Sequence, residues 1–252
     1  MLDTAGQIYS RGWTTIKLYF MIGHPAETLA DVQAIADLCT AVIAEGRKVI
    51  GGRAKLNVGV STFIPKPHTP FQWVSCDIPS QIQLKQALLK RELRHRDIKI
   101  TWTNQESTML EAWLSRGDRR MSQVVFQAWK NGARFDAWQD QFRFDAWMKA
   151  FEDTHIDPSF YTHRNRSLDE VLPWEHISTG VRKKYLIQDY LRSQQSETRM
   201  DCRLQCFACG ILPTFAELRR EHPGDTWLCP EVKSPSKQTT ILNENIPMIF
   251  PG

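Results

Sequence analysis

The chain has 252 residues, 42% of them hydrophobic and 24% charged, with 32 Lys+Arg against 28 Asp+Glu for a formal charge of +4. Such a length and composition suit a globular protein with a substantial core, as one barrel-sized domain or two smaller ones. A charge this mild does not argue for nucleic acid on its own, and RNA or DNA stands as a runner-up partner. The start, Met1-Leu-Asp-Thr-Ala-Gly, is no secretory leader, and no apolar run reaches the ~20 residues of a membrane helix, so a cytoplasmic protein is expected.

Residues 2–10 read as the last turns of a helix, with Leu2, Ala5 and Ile8 in register, leading into a strand over 14–22. There Ile16, Leu18, Phe20 and Ile22 alternate with Lys17, Tyr19 and Met21. After a Gly23-His24-Pro25 turn, Thr28 and Asp31 make a capping-box-like start. The helix they open carries Val32, Ile35, Cys39, Val42 and Ile43 and is expected to end near Gly46. A second strand spans about 55–64, with Leu56, Val58, Val60, Thr62 and Ile64 on one face and Asn57, Gly59, Ser61 and Phe63 on the other. The Pro65-Lys66-Pro67-His68-Thr69-Pro70 loop stops it. Ser80 is the expected cap of a helix reaching about Arg96 along Leu84, Leu88 and Arg91 or Leu93; Ile98, Ile100 and Trp102 mark a third strand.

Strand–helix alternation predicts right-handed crossovers and a parallel sheet. Each strand pairs an aliphatic face with a small or polar one holding Lys17, Tyr19, Asn57, Gly59, Ser61, Lys99 and Thr101. A sheet covered on both sides would be apolar on both, so the pattern suits a barrel clad by helices around a polar lumen. The competing reading is an open sheet with one poorly covered face. Three strands cannot close a barrel, and the helix over 2–10 has no strand before it. A missing or separate N-terminal barrel half is therefore the expected partner, and the lumen-facing Lys17, Tyr19 and Asn57 are candidate substrate contacts. The fold class expected is α/β: late strands of a partial (β/α) barrel (1–103), a helical domain (104–195), a Cys-rich segment (196–232) and a flexible tail (233–252).

In the helical part, Met121, Val124, Val125, Ala128 and Trp129 form one stripe, and Phe-Asp-Ala-Trp occurs at 135–138 and 144–147. Trp113, Trp129, Trp138, Trp147 and Trp174 are read as core rather than as base-stacking platforms. A further helix is expected over about 181–193. The basic runs 90–96, 116–120 and 182–184 are read as solvated helix faces.

Candidate sites follow from residue chemistry. Glycine at Gly23 admits close backbone approach, and the helix after it can receive an anionic group. Lys66 and His68 ride on a proline-stiffened loop suited to an anionic or polar substrate; a tight turn and a solvated loop are the plainer alternatives. Asn104 is a helix cap. Cys202-x3-Cys206-x2-Cys209 has thiolate spacing suited to zinc or an iron–sulfur centre, with Cys229 as the natural fourth ligand and His222 in reserve. Zinc would make the segment a structural staple, and a cluster would make it an auxiliary redox site. Cys39 is a core residue, and Cys76 sits in a loop without a partner.

Three stretches together resemble a known family: KLYFMIGHPAET (17–28), VSTFIPKPHTPFQW (60–73), and a block with RGDRR (116–120), GARFDAW (132–138), FRFDAWMKAF (142–151), LPWEHISTGV (172–181) and DCRLQCFACG (201–210). They resemble the C-terminal half of the cobalamin-binding-domain radical S-adenosylmethionine (SAM) proteins, of the Fe–S oxidoreductase type. The resemblance runs in order over about residues 1–210. It implies an N-terminal cobalamin-binding-like domain, a partial (β/α)6 barrel bearing the SAM-activating [4Fe–4S] cluster, and a Cys-containing tail. The complete protein would use SAM and that cluster, with cobalamin through its N-terminal domain, for reductive cleavage of SAM or cobalamin-assisted chemistry on an unknown small-molecule or macromolecular substrate. By this resemblance Gly23, His24, Pro25, Glu27 and Ser61 lie toward the cofactor. The cysteine triad has the spacing such enzymes use for the activating cluster but follows the strands instead of preceding them. The expectation is thus a portion of such an enzyme. The alternative is a non-enzymatic, zinc-stapled helical module that binds protein or RNA.

Overall fold

A computed structural model describes residues 1–223 and Cys229; the tail expected over 233–252 lies outside the described residues. The chain opens with α1 (Leu2–Ser10), β1 (Thr15–Ile22), α2 (Leu29–Ile50), β2 (Lys55–Thr62), α3 (Pro79–Glu92) and β3 (Ile98–Trp102). The strands form one parallel sheet in the order β1-β2-β3, so the protein is α/β. Alternation explains the layering. Ile16, Leu18, Phe20, Ile22, Leu56, Val58, Val60, Ile98 and Ile100 point to one side, where they pack on Val32, Ala36, Cys39, Val42 and Ile43 of α2 and Ile82 and Leu89 of α3. Each fully buried aliphatic side chain here stabilises by about 1.5–3 kcal/mol.

The start of α2 is as its sequence dictates: the Thr28 side chain accepts from the Asp31 N–H, and the Thr28 N–H donates to the Asp31 carboxylate at 2.8 Å. Its end is not. The helix runs through Gly46 to Ile50 and stops at Gly51, whose φ of 64° needs glycine. Gly46 serves packing instead, because a Cβ there would lie 2.6 Å from the Tyr9 ring and 2.9 Å from Ala54 Cβ. That close approach seats α1, and the Tyr9 hydroxyl donates to the Lys55 carbonyl.

Helix α3 also differs from expectation. It begins at Pro79 with Ile78 as the uncapped flanking residue, and it ends at Glu92. Proline's fixed φ and missing N–H suit the first helical turn, which places Ser80 inside the helix. The buried stripe is Ile82, Lys85 and Leu89, while Leu84 is exposed.

At the N-terminal edge of the sheet, the fully buried Asp97 carboxylate receives Lys55 Nζ at 2.5 Å and Arg47 Nη2 at 2.6 Å. These two hydrogen bonds, Lys55's first, hold it well below the ordinary carboxylate range. The cluster ties α2, the start of β2 and the approach to β3 at one point.

Helices α4 (Gln105–Arg116), α5 (Met121–Lys130), α6 (Phe144–Asp153), α7 (Ser159–Thr162), α8 (Lys183–Ser193), α9 (Ile211–Thr214) and α10 (Ala216–Glu221) follow. Asn104 caps α4 by accepting from the Glu106 and Ser107 N–H groups. A second core gathers Leu110, Trp113, Val124, Ala128, Trp147, Phe151 and Tyr161. A third joins Trp73 of the loop after β2 to Leu172, Trp174 and Leu186. Core burial holds for Trp113, Trp147 and Trp174 but not for Trp129 and Trp138, which are 52% and 61% exposed. The α5 stripe is Met121, Val124 and Ala128; Val125 and Trp129 sit one position round the helix and face outward.

Candidate functional site

The C-terminal ends of β1 and β2 bring the GHPAET turn beside the loop after β2. Gly23 has φ 87°, and its N–H donates to Glu27 Oε1 at 2.9 Å. Lys85 donates to the same oxygen at 2.8 Å and to Asp77 Oδ2 at 2.6 Å. The Lys85 ammonium is almost fully buried, and these carboxylate contacts outweigh burial and raise its pKa. Glu27 therefore buttresses the turn from behind, leaving His24 exposed and Pro25 half-buried. The His24 ring stacks on Phe63 with centroids 4.5 Å apart, and Phe63 meets Phe71 edge-on. The Ser61 hydroxyl turns back onto the Phe20 carbonyl at 3.3 Å.

The loop after β2 is fastened to the helical part by Arg116, which the sequence reading assigned to a solvated basic run, and by Arg166 and Cys76. Arg116, at 0% exposure, is no solvated residue of a basic run: its guanidinium donates to the carbonyls of Pro65 (3.2 Å), Val74 (2.8 Å) and Tyr161 (3.0 Å). Burial without a carboxylate partner lowers its pKa. Arg166 lies alongside, donating to the Arg116 and Tyr161 carbonyls, while its own N–H holds the Trp73 carbonyl at 2.7 Å. Burial, then the Arg116 and Arg164 charges, bring its pKa down to about 10. Cys76 is likewise more than a loop thiol: it is buried, and its N–H donates to the Thr162 carbonyl at 2.7 Å. The spacing Thr108, Ala112, Arg116 along the buried side of α4 was the available signal.

Lys66 forms an ion pair with Glu111. His68 adopts φ 56°, with its N–H on Gln72 Oε1, which also accepts from Trp174 Nε1 at 2.7 Å. Both residues are half-buried at the rim.

Among the described residues the other face of the sheet is exposed. Tyr19 is 74% exposed and Met21 43%, and Lys17 and Lys99 are exposed beside them. Register places Lys17, Asn57 and Lys99 in one row and Tyr19, Gly59 and Thr101 in the next.

At the C-terminal cysteines, Ala208 takes φ 54° and its N–H approaches Cys206 Sγ at 3.5 Å, while Gly210 takes φ 116°. The Cys209 carbonyl accepts the Arg182 N–H at 2.8 Å, docking this knuckle on the start of α8. Burial, and then the nearby thiols of Cys206, Cys202 and Cys209, push the Cys229 thiol up. Among the described residues no group of three or more His, Cys, Asp or Glu is placed so that it could hold a metal ion. As a donor set, four thiolates fit zinc or an iron–sulfur centre. Cys39 is fully buried in the first core, and burial pushes its thiol up to about 11.

Among the described residues no helix is long and apolar enough to cross a membrane. No family model matches the chain. An uncharacterized protein of Methanocaldococcus jannaschii is 32% identical over 114 residues, a stretch covering 45% of this chain and 24% of that protein. The match thus spans about a quarter of that relative's length. No solved structure matches.

Proposed function

We propose that this chain is the C-terminal portion of a radical SAM iron–sulfur enzyme, contributing late strands of a partial (β/α) barrel, a helical region and a metal-holding knuckle. The observation that carries the reading is the asymmetry of the sheet, with an aliphatic face under helices and a bare, polar face opposite. Such a face suits the inner wall of a barrel completed by further strands, on the same polypeptide or a separate one. The motif-bearing turns stand at the C-terminal strand ends, where barrels of this kind carry function. SAM, its activating cluster and cobalamin would be held chiefly by the other half and supply the radical chemistry there. This chain would offer Gly23, His24 and Pro25 toward them, with Glu27 and Lys85 fixing the turn. Cys202, Cys206, Cys209 and Cys229 would hold an auxiliary cluster or zinc.

A second reading, a zinc-stapled helical module that binds protein or RNA, is favoured by the knuckle itself. The left-handed Ala208 and its N–H directed at Cys206 Sγ resemble the backbone support that orients ligands in structural metal sites. Metal and acid-labile sulfide content of the anaerobically purified chain, beside Cys206→Ala, separates the two. Iron with sulfide, lost in the variant, is the expected result. Stoichiometric zinc, lost in the variant, would favour the second reading, and neither metal would remove the site.

A further inference from the structure

The three strands contain no Asp or Glu. Among the strand residues on the bare face the cations are Lys17, Lys55 and Lys99, and Lys55 is engaged by the buried Asp97, which it shares with Arg47. Lys66, the cation on the adjoining loop, is neutralised by Glu111. Lys17 and Lys99 differ: among the described residues neither is in an ion pair, and Lys17 Nζ rests 4.7 Å over the Tyr19 ring. Asn57 stands between them in register, half-buried and with its side-chain amide unpaired among the described residues. Adjacent strands lie about 4.8 Å apart, so the two lysine Cα atoms are separated by roughly 10 Å. Two four-carbon stems can close that gap over the central asparagine. In the next row, Gly59 lets Tyr19 lie across the middle strand, since a Cβ at Gly59 would meet the ring at 3.2 Å. The row is thus walled by an aromatic ring on one side, rests on the sheet, and carries two ammonium groups with no carboxylate among them.

We infer that the Lys17–Asn57–Lys99 row is a binding site for an oxyanion, so that the substrate of the proposed enzyme carries a carboxylate or phosphate group. This rests on the reading of the bare face as an inner wall. Two ammonium groups and an amide supply charge-assisted hydrogen bonds to such a group. Closing the wall would lower the local dielectric and strengthen them.

The test uses the full chain and site-resolved reductive methylation of its lysines, with and without millimolar sodium pyrophosphate or citrate at constant ionic strength. With the anion at ten times its Kd, methylation of Lys17 and Lys99 is expected to slow about tenfold, while Lys90 and Lys130 on α3 and α5 are unchanged. Protection by pyrophosphate alone would assign phosphate, by citrate alone carboxylate. Asn57→Asp places a carboxylate between the lysines without removing any buried group; it is expected to abolish protection by either anion while leaving the circular dichroism spectrum intact. Unchanged labelling at Lys17 and Lys99, equal protection at Lys90 and Lys130, or full protection in Asn57→Asp would each overturn the inference. The barrel reading fails differently, by absence of any association between this chain and a cluster-bearing half, which anion protection does not measure.

Discussion

Replacing Arg116 by methionine, which keeps most of the volume and removes the charge, should detach the loop after β2 from the helical region. The guanidinium makes three hydrogen bonds, to Pro65, Val74 and Tyr161 carbonyls, at full burial. Hydrogen bonds from a charged donor are each worth about 1.5–3 kcal/mol net, a gross loss of roughly 5–9 kcal/mol. Relief of the buried cation offsets part of this, leaving a net cost of about 3–5 kcal/mol from three carbonyls stripped of their donor. For a chain of this size that corresponds to a fall in Tm on the order of 10 °C. Urea titration gives the global figure, and hydrogen exchange of residues 65–76 gives its location. A stability loss under about 1 kcal/mol, or unchanged exchange in that loop, would refute the clamp.

Three further outcomes test the rest. Because the folded-state pKa of Asp97 is depressed, its contribution is present above the unfolded value of about 4 and fades as pH falls through and below it. The stability difference between the chain and Asp97→Asn, measured by denaturant titration, should therefore be largest at neutral pH and shrink below about pH 4; a constant difference would contradict the cluster. Gly46→Ala should lower stability by about 1–2 kcal/mol in thermal melts, because overpacking against Tyr9 exceeds the roughly 1 kcal/mol that alanine adds to a helix; a rise in Tm would show that α1 is not seated there. Lys85→Met should destabilise by about 3 kcal/mol by leaving Glu27 with an unpaired buried carboxylate, and Glu27→Gln combined with it should recover part of the loss.

The strands were legible because alternation forces it: Ile16 to Ile22 and Leu56 to Val60 have one way to bury their aliphatic side chains. The capping box at Thr28 and the cap at Asn104 were equally local. Gly46 misled because a glycine reads as a helix end until the ring that needs its missing Cβ is known. Leu84 and Trp129 misled for a related reason, since a stripe drawn one position off still looks periodic. The charged anchors Arg116, Arg166, Lys85 and Asp97 were out of reach for a different one: a charged residue reads as solvent-facing, and each of these is held by at least one partner far away in sequence, Val74 for Arg116, the Arg116 carbonyl for Arg166, Glu27 for Lys85 and Arg47 for Asp97. At the candidate site, the sequence marked the turn and the cysteines as candidates but not that Glu27 and Lys66 are already paired.

The sheet register has a consequence for how the molecule assembles. Thr15 pairs with Lys55 and Leu56 with Ile98, separations of 40 and 42 residues, so every ladder hydrogen bond joins segments far apart in sequence. Helices form from local contacts, whereas such pairings must first meet the entropy of closing a long loop. The two β–α–β passages are nearly equal in length, so each strand is added by the same operation as the last. A further parallel strand beside β1 or β3 would not come through a tight hairpin, because a parallel neighbour needs a crossover or a second chain.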